Sequence, residues 1–232
     1  MTHHLPITVS LLAALLAWGG AASAMASKAD QKAGRVVVLP EPRREGAVAV
    51  ESALARRRSV REYRDAPLAL AGLSQVLWAA QGVTDPEGHR TAPSAGALYP
   101  LEVYVVAGTV TGLASGVYRY DPRRHRLVLR GAGDRREALA KAALEQDWVA
   151  EASVVLVLGA VVERTARRYG RRGPRYVHME VGHAAQNVYL QAVALDLGTC
   201  MVGAFHDRRL HRVLDLPDEV EPLAVMPVGA PR

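Results

Sequence analysis

The chain has 232 residues, half of them hydrophobic but only 5% aromatic, which suffices for one core of Leu, Val and Ala and argues against two large domains. Its net charge of +6 favours anionic ligands or surfaces. The arginines are spread along the whole chain and not gathered in one basic segment with interleaved aromatics, which argues against nucleic acid. Cys200 is the single cysteine and rules out an internal disulfide.

Residues 1–26 read as a secretory signal peptide. A polar lead, Met1 to Pro6, precedes an uncharged apolar run from Ile7 to Ala22, and Ala22-Ser23-Ala24 and Ala24-Met25-Ala26 both fit the small-x-small cleavage pattern. The expected destination is the periplasm or the exterior; the alternative is an uncleaved anchor. The lead carries His3 and His4 but no Lys or Arg, and no twin-arginine pair precedes the run, so the general secretory route is expected. Residues 27–46 are polar, contain Pro40 and Pro42, and read as a tether to a domain spanning residues 47–232. No later segment is long and apolar enough to cross a membrane.

Within that domain a helix is expected from about Ala47 to Arg57. It runs into Arg56-Arg57-Arg58-Ser59-Val60-Arg61, where Ser59 and Val60, both mediocre helix formers, break it. The arginines then fan out at a helix end. A guanidinium presents a planar fork of donors suited to phosphate oxygens, and a serine hydroxyl adds another. Two readings stand side by side: a socket for a compact dianion, and a solvated basic helix end. Leu70, Leu73, Val76, Leu77 and Ala80 recur at helical spacing up to Gly82. Thr91 to Pro100 is too rich in small residues and proline for a regular element, and small residues let backbone approach a flat ligand closely. A strand follows over Leu101 to Ala107, then a hairpin of Gly116 to Pro122 with His125 to Arg130, then a helix from Asp134 to Glu145 with Asp134 as its cap.

The β-branched run from Ser153 to Val162 suits a central strand buried on both faces. A long helix is expected from Pro174 to Leu197, closed by Gly198, with Glu180, His183, Gln186, Asn187 and Gln191 polar along it. A short strand (Met201 to Phe205), a short helix (Asp207 to Leu214) and a last strand (Leu223 to Val228) complete the domain. Alternating helices and strands give an α/β or α+β sandwich. No metal site is expected: His178 and His183 are five apart, whereas zinc helices place ligands three or four apart. Cys200 lies in a Val/Met-rich segment and reads as packed core, with a Cys–His pair as the alternative.

Five segments occur in order: Arg57 to Tyr63, Ala92 to Pro100, Gly116 to Tyr120, Glu180 to Asn187, and Val202 to Phe205. Together they resemble the nitroreductase family of flavin enzymes, and within it the SagB-type dehydrogenase branch, which includes azoline oxidases of modified-peptide pathways. The resemblance runs from about Ser52 onward. It implies an α+β three-layer sandwich with a central mixed or antiparallel sheet, a homodimer built on the long helix, and FMN at the subunit interface.

Carried over position by position, the resemblance implies that Arg57, Arg58, Ser59 and Arg61 hold the phosphate and ribityl chain, with Arg232 adding to that end. Pro93, Ser94, Ala95, Gly96 and Leu98 would line the isoalloxazine, and the Gly203-Ala204 backbone would lie near N5. The implied substrate is a small or peptide-derived molecule. The branch's azoline oxidases are similar around a Lys-Tyr pair before the long helix, where this chain has Arg168-Tyr169 as its catalytic candidates. Arginine stays protonated and cannot act as a base, so Tyr169 is the member able to exchange a proton, and the departure speaks against azoline oxidation. A flavin-binding protein without turnover is the second expectation.

Overall fold

The computed structural model describes residues 35–232. The expected signal peptide, and the expected tether as far as residue 34, lie outside them. The strands are β1 (Val36–Val38), β2 (Leu68–Ala69), β3 (Leu101–Ala107), β4 (Val110–Thr111), β5 (Gly116–Asp121), β6 (Arg126–Ala132), β7 (Val154–Ala160), β8 (Gly198–Thr199) and β9 (Glu221–Gly229). The α-helices are α1 (Val50–Arg56), α2 (Leu70–Gln81), α3 (Arg136–Ala142), α4 (Trp148–Glu151), α5 (Glu163–Tyr169), α6 (Gly173–Ala194) and α7 (Asp207–Leu214).

Seven strands form one sheet in the order β1-β6-β5-β3-β7-β9-β8. Every neighbouring pair in it is antiparallel, while β2 and β4 form a separate short parallel pair. The continuous apolar run of β7 is explained by its place between two cores. Val154, Leu156, Leu158 and Ala160 enter the core shared with α2 and α6. Val155 and Val157 point the other way, into the core shared with α3 and α7. Strand alternation thus fills two layers from one segment, and the fold is the expected α+β sandwich with helices on both faces of an antiparallel sheet.

Several boundaries differ from expectation for physical reasons. Residues 36–38 of the expected tether belong to the sheet, where Val37 pairs with Leu127, and Leu39 after them is buried in the core. Met201 to Phe205 is not a strand; only Val202 bridges to Val225. Asp134 accepts the Arg136 N–H at 3.0 Å, just ahead of a helix shorter than expected. Gly198 does not close α6. Asp196 adopts φ +54°, and the Leu197 N–H reaches the Ala192 carbonyl at 2.8 Å while the Asp196 N–H reaches that of Val193 at 3.2 Å. That is the two-bond stop usually built on glycine, made here with aspartate. Gly198 serves packing instead: a Cβ there would lie 2.7 Å from Val60 Cγ1. Cys200 is buried, as a packed-core residue is.

Candidate active site

The arginine segment leaves α1 and lies along the edge of the sheet. The Val60 N–H donates to the Thr199 carbonyl at 2.9 Å, and the Arg64 N–H to that of Ala230 at 2.9 Å. Tyr63, 1% exposed, pins the segment from below. Its hydroxyl donates to the Val60 carbonyl at 2.8 Å, and burial drives its phenol well above the ordinary range. Arg232 joins the same segment, donating from its backbone to the Glu62 carbonyl at 3.2 Å and from Nε to that of Tyr63 at 3.1 Å.

The four arginines are not equivalent. Arg56 pairs with Asp196 at 3.3 Å. Arg58 folds back on the carbonyls of Ala55 and Arg57, where it caps the helix end. Arg57 and Arg61 form no ion pair among the described residues. Each rests on an aromatic face instead, Arg57 5.2 Å from the Tyr189 ring centre and Arg61 5.7 Å from that of Trp148. Ser59 Oγ lies 3.2 Å from the Tyr189 hydroxyl, which also accepts the Met201 N–H at 2.7 Å. The Gly203-Ala204 peptide, two residues on, is exposed, and the space where a Gly203 side chain would stand is open.

The small-residue loop is fixed by different contacts. Ser94 Oγ accepts the Tyr99 N–H at 2.9 Å, and Ala95–Ala97 makes one 3-10 turn before Leu98. Ala97 and Tyr99 both adopt positive φ, a strained choice for residues with a side chain. Asn187 Nδ2 donates to the Thr91 carbonyl at 3.1 Å, and His183 Nδ1 to that of Pro93 at 3.3 Å. Arg168 and Tyr169 come over the turn at Gly96, whose φ is +63°. A Cβ there would lie 2.8 Å from the Tyr169 hydroxyl and 3.1 Å from Arg168 Nη1. Tyr169 is braced edge-to-face on Tyr176, with ring centres 5.0 Å apart.

The expected site residues therefore fall into two groups along α6. Arg57, Ser59 and the Met201 N–H meet at Tyr189, Arg232 lies on the carbonyls of Glu62 and Tyr63, and Arg61 and Ala204 lie beside Trp148 and Gln146. Pro93, Ser94, Ala95, Gly96 and Leu98, with Arg168 and Tyr169, gather over the stretch from Glu180 to His183. Tyr189 lies six to nine residues beyond that stretch, about 9–14 Å along the helix axis at 1.5 Å per residue.

Glu180 was expected on a polar helix face, but it turns inward and is 2% exposed. Its Oε1 has no hydrogen-bond partner among the described residues, and neither has the nearby Gln81 Nε2. Burial raises its carboxyl to about 7, opposed by Ser94, Arg90 and Gln81. Arg90 is engaged elsewhere, donating to Gln81 Oε1 at 2.6 Å and lying 4.5 Å from the Tyr99 ring centre. The signal for this inward turn was spacing: Glu180 follows Val177 by three and precedes Ala184 by four, and both are core positions.

The family model of the nitroreductase family matches residues 54–230. The chain belongs to the nitroreductase family. A nitroreductase-type protein of Methanocaldococcus jannaschii is 52% identical over 182 residues, 78% of this chain and 91% of that one. A nitroreductase-type crystal structure from Ralstonia eutropha JMP134 superposes with a TM-score of 0.75 at 33% identity, covering 85% of this chain and 90% of that one. A chain of the E. coli microcin synthetase McbBCD complex with truncated pro-MccB17 bound gives 0.66 at 25% identity, covering 84% and 78%. As a member of the nitroreductase family, the chain is an oxidoreductase.

Proposed function

We propose that this family member is an FMN-dependent oxidoreductase whose site is completed by a second copy of itself. The observation that carries this reading is the separation of the two residue groups along α6. Pairing α6 antiparallel with its copy, about a two-fold axis near Gln186, brings the loop of one chain to the arginine end of the other. The helix leaves Met179, Gly182 and His183 exposed for such a contact. A two-fold pairing produces two identical sites at once.

The residues present fit FMN. Arg57 and Arg61 offer guanidinium groups with no carboxylate partner among the described residues, Ser59 a hydroxyl and Arg232 a further guanidinium, a donor set for a phosphate and a polyol chain. Arg58 is engaged on its own helix and contributes less than its neighbours. Pro93, Ser94, Ala95, Gly96 and Leu98 supply a wall of small residues, and the exposed Gly203-Ala204 backbone leaves room for a flat ring. When bound, FMN supplies two-electron hydride chemistry at its N5. Of the Arg168-Tyr169 pair, Tyr169 is the member that can hold or release a proton, at its hydroxyl.

The reading extends to a SagB-type, peptide-directed role, supported by the likeness to a chain of the microcin synthetase complex, and to export, supported by the apolar run at Ile7 to Ala22. In an exported enzyme the donor is an oxidisable organic substrate or a redox partner other than a nicotinamide. A second reading, a flavin binder without turnover, is favoured by Arg168, which cannot take up a proton.

The purified protein is expected to be a yellow dimer holding one FMN per chain. The double substitution Arg57→Ala/Arg61→Ala should release FMN without changing the far-ultraviolet circular dichroism. A protein that stays colourless after FMN is added overturns the proposal. Anaerobic addition of candidate donors separates the two readings, since bleaching of the flavin requires turnover.

A further inference from the structure

The stretch from Val161 to Tyr176 holds six arginines against one glutamate. Two of the six are engaged. Arg164 pairs with Glu102 at 2.6 Å and also donates to the Tyr99 carbonyl at 3.4 Å, and Arg167 lies 3.5 Å from Glu163. Arg168 is different. Among the described residues it has neither a carboxylate partner nor a hydrogen-bond acceptor, and its guanidinium lies 5.6 Å from the centre of the Tyr169 ring. Its Nη1 sits over Gly96, the one loop residue that leaves space for it. Arg171, Arg172 and Arg175, exposed and also without acidic partners among the described residues, follow within two turns.

A cation engaged on the protein's own carboxylates is structural. One that lies beside a ring and a glycine turn, with no acceptor for its N–H donors among the described residues, is open to an outside anion. The neighbouring unpaired arginines raise the positive potential at the same place, which attracts an anion and disfavours a cation. We infer that Arg168 recognises a carboxylate on the substrate, so that the molecules acted on at the Gly96 turn are organic anions. This rests on the proposed oxidoreductase site, and it changes the part played by Arg168. The guanidinium holds a fixed charge and a planar fork that orients the substrate, while Tyr169 beside it supplies the group that can exchange a proton.

The test uses two probes of nearly equal shape, 4-nitrobenzoate and 4-nitrobenzamide, which differ in charge at the ring position opposite the nitro group. FMN-loaded protein is reduced anaerobically with dithionite, and reoxidation by each probe is followed in a stopped-flow spectrophotometer. The benzoate is expected to be preferred by about fivefold, as for an exposed charge pair. That preference should shrink at high salt, fall towards one in Arg168→Gln, and be kept only in part in Arg168→Lys, which retains the charge without the fork. Equilibrium dialysis of the same two probes, which needs no flavin, reports the binding preference even if the protein takes up no FMN, so failure of the cofactor reading is told apart from failure of this one. Equal affinity for the two probes in the unaltered protein, or an undiminished preference in Arg168→Gln, overturns the inference.

Discussion

Replacing Glu180 by glutamine keeps shape and hydrogen-bonding capacity while removing a charge that the interior cannot solvate. An unperturbed carboxyl titrates near 4.5, and burial moves this one to about 7. Below about pH 4.5 the folded and unfolded chains both carry the proton. Between 4.5 and 7 the folded chain keeps it while the unfolded chain releases it, so each pH unit favours unfolding by about 1.4 kcal/mol. Above 7 both forms are ionised and the penalty is constant at about 3 kcal/mol. Glu180→Gln escapes that penalty. Relative to the unaltered protein it should therefore gain stability as the pH rises from 5 to 7 and level off towards pH 8, by about 2.5 kcal/mol across the range. Every other titrating group is shared by the two proteins and cancels. Urea denaturation at pH 5, 6, 7 and 8 measures the difference. A stability difference independent of pH would refute the argument. A variant that loses stability at pH 8 would show that Glu180 is ionised and held by Arg90.

Three further outcomes are expected. Gly96→Ala forces a Cβ into the left-handed region against Tyr169 and Arg168, and should cost about 1 kcal/mol, mostly in the backbone, since the two side-chain ends can move aside; denaturation midpoints check this. His125 accepts the Tyr120 hydroxyl at Nδ1 (2.8 Å) and donates from Nε2 towards Pro40 (3.0 Å) and Ser74 (2.6 Å), the pattern of a neutral ring. Burial lowers its pKa below 6.5, so the unfolded chain takes the proton first and stability falls as the pH drops from 6.5 through the folded value; an NMR titration of this ring should show the depressed midpoint. Leu158→Ala, at a fully buried position of β7, should cost about 2–5 kcal/mol in urea denaturation.

Much of the architecture was legible because it depends on local pattern. The β-branched run of β7 could only suit a strand covered on both faces. The spacing of Leu73, Val76, Leu77 and Ala80 could only suit a helix lying on one core. The break at Ser59 and Val60 put the arginines at a helix end. What depended on distant partners was not legible. Val36 to Val38 pair with β6 at the sheet edge; the run Val36-Val37-Val38-Leu39 carries a local strand signal, but the partner that fixes it is distant in sequence. Asp196 stopped α6 in a conformation usually left to glycine.

The candidate site shows the same division. The residue types were readable in order, since phosphate-matching cations, small loop residues and an open glycine peptide are chemical requirements that composition expresses directly. Their distribution along α6 was not, because distance between segments belongs to packing and leaves no mark on spacing. Only the tertiary structure decided that Arg58 caps its own helix while Arg57 and Arg61 rest on rings with no ion pair among the described residues, that Arg168 overhangs Gly96, and that the buried Glu180 keeps an oxygen unmatched among the described residues. In each case the chain supplied the charge, and the fold decided whether a partner lay within reach of it.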